Sequence, residues 1–118
     1  MTARTEAGEE AYQKAKRLGQ LEPLQDITPI KEWVHWKLVP NKFPHDKLNS
    51  RHLMVVLKRE TAEGDYWGLE DVELFELWWD IFPELERDYH YFKINGSALR
   101  TVGRVPHIHV CDFLPEYV

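Results

Sequence analysis

The residues of this chain best suited to chemistry lie near its C-terminus, in the run V-P-H-I-H-V-C at 105–111. Its Val and Ile content predicts a strand, in which side chains alternate between faces and every second one lies about 7 Å further along. Val105, His107, His109 and Cys111 therefore share one face, which puts two imidazoles and a thiol on one surface. Neutral imidazole is a good nucleophile near pH 7 and exchanges protons at either nitrogen, so the pair suits nucleophilic or acid–base chemistry. A metal site is the alternative: His52, His107, His109 and Cys111 are acceptable zinc ligands, although no second closely spaced Cys or His pair accompanies them. A His-x-His alone is more often a packed or surface pair. His52 strengthens the case, because it opens a second apolar run, H-L-M-V-V-L at 52–57, directly after a basic loop. A sheet would bring it beside the other two.

The elements that must position these groups follow a readable order. Residues 6–18 (EAGEEAYQKAKRL) are helix formers with Gly19 as a stop, but Ala11, Tyr12, Ala15 and Leu18 make only a thin stripe, so a peripheral helix is expected. Pro23 and Pro29 bracket a connector. Trp and Val predict a strand over 30–39 (IKEWVHWKLV), ending at Pro40, followed by a loop and then the buried strand at 52–57. After Gly64, Leu69, Val72, Phe75, Trp79 and Phe82 recur at three- and four-residue steps, with Glu70, Asp71, Glu73, Glu76 and Asp80 opposite. That spacing predicts an amphipathic helix with its aromatic stripe inward and its carboxylates in water, ended or kinked by Pro83. Residues 89–95 (YHYFKIN) alternate as a strand does, and Asn95-Gly96 begins a turn. With 118 residues one domain is expected, residues 1–28 forming a helix and linker and 29–118 the main body.

Four segments together carry a family likeness: N-K-F-P at 41–44, R-H-L-M-V-V-L-K-R at 51–59, I-N-G-S at 94–97 and P-H-I-H-V-C at 106–111. In kind and order they resemble the histidine triad (HIT) superfamily of nucleotide-binding hydrolases and transferases, over about residues 33–113. The resemblance implies an α+β, HIT-like fold: about five antiparallel strands, a long amphipathic helix and a peripheral N-terminal helix. It also implies a purine nucleotide or nucleotide conjugate as ligand, a histidine nucleophile, no metal or other cofactor, and a homodimer paired through helix and sheet edge. The family signature is His-φ-His-φ-His-φ-φ, with φ apolar, and its middle histidine is the nucleophile. Only two histidines are present here, so two frames are open. In the preferred one Val105 stands for the first histidine and His107 is the nucleophile; in the other Cys111 stands for the third and His109 is the nucleophile. Asn41, His52, Asn95 and Ser97 match substrate-binding positions. Because a triad member is missing, the resemblance also allows a catalytically silent nucleotide-binding or scaffold protein.

Composition narrows the class without deciding among these. Fifteen Lys and Arg against twenty Asp and Glu give a net charge of −5, which argues against duplex nucleic acid as partner. Residues 31–59 hold seven basic side chains, and residues 60–88 hold eleven acidic ones. This asymmetry suits a positive field over a small-anion site, or else simply a solvated acidic helix face. A single cysteine, no signal-like apolar run near the start and no stretch of about 18 apolar residues lead to the expectation of a cytoplasmic protein without a membrane span. Trp67, Trp78 and Trp79 suit core or dimer-interface packing; Trp33, Trp36 and Phe43 also read first as packing residues, although they lie near enough to the proposed site for one of them to contact a base. His35, His45 and His90 fall outside the triad pattern and read as surface or partly buried histidines, and Cys111 as a buried apolar residue.

Overall fold

The computed structural model describes residues 3–118 and is an α+β structure built on one five-stranded antiparallel sheet. In chain order the strands are β1 (Lys31–Glu32), β2 (Trp36–Pro40), β3 (Asn49–Leu57), β4 (Tyr91–Lys93) and β5 (His107–Phe113), and in space they run β1-β2-β3-β5-β4. The long β3 and β5 sit at the centre, paired from Val56↔His107 to Asn49↔Phe113 with an irregularity between Asn49 and Arg51. β3 begins three residues before the apolar run at 52–57, and β5 begins and ends two residues after the run at 105–111. The single strand expected over 30–39 is instead a short hairpin, β1 pairing back on β2 through Lys31↔Leu38 and Glu32↔Lys37. A buried carboxylate explains the reversal: Glu76 accepts the backbone N–H groups of Val34 (3.1 Å) and His35 (2.8 Å), which no sheet neighbour could satisfy in the turn.

One sheet face packs against the helical segment that follows Gly64. There Trp36, Leu38, Leu53, Val55, Leu57, Ile108 and Val110 close on Leu77, Ile81 and Leu85. The segment comprises α2 (Asp71–Glu76), a π turn (Leu77–Ile81) and α3 (Phe82–Asp88). Pro83 does not end the helix; it lacks an N–H to donate backward, and the wider π turn before it absorbs the mismatch. Of the stripe expected to turn inward, only its ends, Leu69 and Phe82, pack partly on the core. Glu73 and Glu76 are buried with Leu77, Ile81 and Leu85, while Val72, Phe75, Trp78 and Trp79 are exposed, Trp79 by 76%. Glu73 tolerates burial because Arg59 grips it with two nitrogens, at 2.6 and 2.7 Å, and because it closes a capping box with Glu70. Trp67 alone of the three helix-side tryptophans packs partly on the core. Trp36 is fully buried on this helix-covered face, donating Nε1–H to the Glu73 carbonyl, so it cannot meet a base on the histidine face.

The opposite sheet face carries the histidines, with Val39, Met54, Val56 and Val105 packed against Ile27. The N-terminal segment covers part of it. α1 (Glu6–Arg17) starts at Thr5, whose hydroxyl caps Gly8 N–H, and ends at Gly19 (φ +66°) with Gln20 N–H bonded to the Ala15 carbonyl, a left-handed stop that glycine adopts without steric cost. Asp46 anchors this start to the loop after β2 by accepting from Thr5 N (2.7 Å) and Oγ1 (2.9 Å). Lys37 is buried under the connector and donates to the carbonyls of Gln25 and Ile27. Among the described residues, no helix is long and apolar enough to cross a membrane.

Candidate active site

Register alone brings three of the expected residues together. Across β3 and β5, His52 faces Cys111, Met54 faces His109 and Val56 faces His107, and directly opposed residues share a face. His52, His109 and His107 thus line up on the face away from α2, with Met54 and Val56 between them; each imidazole is at least nine-tenths buried. The site opens into a cavity of about 910 Å³ walled by α1, the connector at 21–27, Asn41 to His45, and residues 99–105. Asn41, Asn95, His107 and His109 line it; Ser97 does not, lying exposed in the turn after Asn95. Phe43 also lines the cavity, edge-on to Tyr12 at 5.5 Å.

His45, set aside by its sequence position, belongs to the cluster. Its ring stacks on His109 at 5.7 Å and meets His52 at 4.6 Å, and its Nδ1 is buried with no hydrogen-bond partner among the described residues. No periodicity pointed to it, because the loop rather than a strand delivers it. Tyr66 was missed for the same reason.

Hydrogen bonds fix which nitrogen of each ring bears the proton. The backbone N–H of His45 donates to His52 Nδ1 at 2.9 Å, so neutral His52 carries its hydrogen on Nε2 and donates it to His109 Nδ1, 2.7 Å away. His109 Nε2 lies 3.1 Å from Asn95 Nδ2; because that Nε2 carries the hydrogen, the amide is assigned turned over, with its oxygen accepting. His107 is set independently: its Nδ1 lies 2.9 Å from the Val105 carbonyl, which only accepts, so Nδ1 is the protonated nitrogen. Tyr66 braces this contact, donating to the same carbonyl at 3.0 Å and accepting the His107 backbone N–H at 3.2 Å. The remaining nitrogen, His107 Nε2, keeps its lone pair and has no partner among the described residues.

Burial keeps the cluster neutral. It lowers His109 to about 2, helped by His107 and His52; His52 to about 3, helped by His45 and Lys93; and His45 to about 4, helped by Arg4 and Lys93. His107 is lowered as well, by burial first. Burial pushes the Cys111 thiol up, which makes it an apolar neighbour and not a nucleophile.

A metal held by His52, His107 and His109 does not fit. Both nitrogens of His52 are engaged, one accepting from backbone and one donating to His109, and among the described residues no group of three or more His, Cys, Asp or Glu side chains is arranged for a metal ion.

The positive charge also comes from elsewhere than expected. In the basic segment 31–59, Lys31 pairs with Glu84, Arg51 with Asp112, Lys58 with Glu32 and Arg59 with Glu73, and Lys37 is buried. Of the seven, Lys42 alone lines the cavity; the other cations there are Arg4, Lys16, Lys93, Arg100 and Arg104. Sheet and site therefore define a class: an α+β protein with neutral, tautomer-fixed imidazoles in a cation-bearing cavity. No family model matches the chain, and neither a curated protein nor a solved structure matches it.

Proposed function

We propose that the protein is a HIT-like nucleotide phosphohydrolase or nucleotidyl transferase that works through His107 as nucleophile. The observation that carries this reading is the His107 tautomer: Nδ1–H is held by the Val105 carbonyl, leaving the Nε2 lone pair for attack in a cavity that other cationic groups line. Nε2 attacks the phosphorus of a bound nucleotide; the N–P bond forms as the bond to the leaving group breaks, and that group departs with the bonding pair and a proton from solvent. The cation so formed on His107 is stabilised through Nδ1–H by the same carbonyl. Water, or another acceptor, then attacks phosphorus, the N–P electron pair returns to Nε2, and the acceptor's proton goes to solvent. With its oxygen turned to His109, the Asn95 amide has its Nδ2–H left to donate to phosphoryl oxygens as charge builds on them. Asn41 and His52 support the loop and the relay behind His109.

Val105 favours a second reading. It occupies the position of the absent triad histidine, is buried and apolar, and belongs to the small core with Met54 and Val56. A chain so altered is a catalytically silent nucleotide-binding protein. The two readings separate in one experiment: calorimetric titration with AMP and GMP at low salt, together with turnover of a nucleoside phosphoramidate or dinucleotide. The enzyme binds and turns over, and His107→Ala abolishes turnover while His109→Ala leaves a remnant. The silent relative binds only. No detectable heat at millimolar nucleotide overturns both.

The resemblance also implies a homodimer. The exposed Phe75, Trp78 and Trp79 on the helix and the short edge strand β4 support that pairing.

A further inference from the structure

The loop between β2 and β3, residues 41–48, has two sides that hold different parts of the molecule. Its inner side carries His45, whose backbone N–H donates to His52 Nδ1 and whose ring lies against His52 and His109. An N–H in a loop has no ladder neighbour to keep it in place, so its aim depends on whatever fixes the loop. The loop's own backbone bonds are few. Asn41 N–H donates to the His52 carbonyl at 3.2 Å, and the N–H groups of Leu48 and Asn49 donate to the His45 carbonyl at 3.4 and 3.2 Å.

Residues 3–5 hold the outer side. The Ala3 carbonyl accepts the Lys47 N–H at 2.9 Å, and Arg4 Nε donates to the Phe43 carbonyl at 2.9 Å. Asp46 accepts from both the N–H and the hydroxyl of Thr5, at 2.7 and 2.9 Å. Arg4 also lies 4.1 Å from the centre of the Tyr12 ring, which meets Phe43 edge-on. The Asp46 carboxylate is fitted to the first turn of α1: the Thr5 N–H holds it below the usual carboxylate range, and a Cβ at Gly8 would stand only 3.2 Å from each of its oxygens. α1 itself buries only Ala15, so these contacts with the loop are its main fastening. Asp46 is also the residue after His45. One step of chain carries the clamp to the N–H that sets His52.

We propose that Asp46 is a positioning residue for the histidine relay: by clamping residues 3–5 onto the outer side of the loop it holds the His45 N–H on His52 Nδ1, and so keeps the His52 hydrogen on Nε2, aimed at His109. The N-terminal segment is then a part of the site and not an appendage to the sheet. The inference rests on the proposed function for what the relay serves, and deepens it by naming what keeps the relay in order.

The test uses the full chain as parent, Asp46→Ala, Asp46→Asn and Thr5→Ala. Three things are measured: amide hydrogen exchange at His45, the imidazole proton and nitrogen resonances of His52, and kcat and KM for a nucleoside phosphoramidate. Parent-like protection of the β3 and β5 amides establishes that a variant folds. In Asp46→Ala, exchange at His45 is expected to rise at least about tenfold while the strand amides stay as in the parent, and the His52 Nε2–H resonance to broaden or vanish. Turnover should fall about tenfold in kcat with KM little changed. Asp46→Asn keeps an oxygen for the Thr5 N–H and offers its amide to the Thr5 hydroxyl, so it should restore most of each signal. Thr5→Ala removes one of the two contacts from the other side and should move His45 and His52 in the same direction by less, which keeps the test decisive if Asp46→Ala does not fold. Parent-like His45 exchange and His52 resonances in the folded variants overturn the inference, as does a loss in Asp46→Asn as deep as in Asp46→Ala. If the parent turns over the phosphoramidate and His45 stays protected in the variants, this inference alone is lost. If His45 and His52 respond as expected but the parent turns nothing over, the clamp stands and the proposed catalysis is lost.

Discussion

At the scale of single residues, the site depends on where protons sit. The tautomers assigned to His107 and His52 each start from a backbone group that cannot change its role: the Val105 carbonyl in one case, the His45 N–H in the other. Tyr66 is the residue whose removal tests this most cleanly. Tyr66→Phe leaves the His107–Val105 contact in place but strands the buried His107 N–H. The expected outcome is a loss of about 1–3 kcal/mol in denaturant unfolding, with turnover reduced less than by His107→Ala. Loss of turnover as complete as in His107→Ala, in a folded variant, would instead make the tyrosine hydroxyl part of the chemistry.

Among the elements, the helical segment departs furthest from its sequence pattern. Leu69, Val72, Phe75, Trp79 and Phe82 form a regular stripe, but only its ends, Leu69 and Phe82, pack partly on the core; Val72, Phe75 and Trp79 are exposed, and Leu77, Ile81 and Leu85 meet the sheet with Glu73 buried. Periodicity locates a helix and cannot say which face has partners. Here Arg59 and the hairpin turn supply partners for Glu73 and Glu76, and the aliphatic residues at four-residue steps fit flat against the strands. Two substitutions distinguish the faces. Ile81→Ala should cost about 2–5 kcal/mol by leaving a cavity in the core. Trp79→Ser should change the folding free energy of the single chain by about 0.5 kcal/mol or less, because the side chain is 76% exposed. In the proposed dimer the same serine variant should sediment as monomer at concentrations where the parent does not.

For the whole molecule, four neutral histidines in the site imply a stability that depends on pH. Their folded pKa values lie below the ordinary 6.5, so between that value and about 4 for His45, 3 for His52 and 2 for His109 the unfolded chain binds protons that the folded one does not. Stability is therefore fully present above pH 6.5 and falls as the pH drops below it. His45, His52 and His109 should each remove on the order of 1–2 kcal/mol between pH 7 and pH 5. Chemical denaturation across that range should show the fall, and His45→Asn should flatten it by about one proton. A flat profile in the parent would mean that the imidazoles are solvated and charged.

The sequence by itself determined the elements and the presence of a histidine strand. Alternation in V-P-H-I-H-V-C and in H-L-M-V-V-L is a local property of extended chain, and it places His107 and His109 on one face whatever the rest of the fold does. Asn95-Gly96 and Gly19 likewise mark chain reversals through local backbone preference. Only the tertiary structure decided the rest, because each remaining choice turns on a partner distant in sequence. Glu76, more than forty residues away, bends the expected strand at 30–39 into a hairpin. The ladder register sets Lys93 against His109, and loops that follow no periodic rule deliver His45, Tyr66 and Arg100 to the imidazoles. Ser97 carries a sequence likeness and no place on the cavity wall, since a turn residue is positioned by how the following loop packs and not by the motif around it.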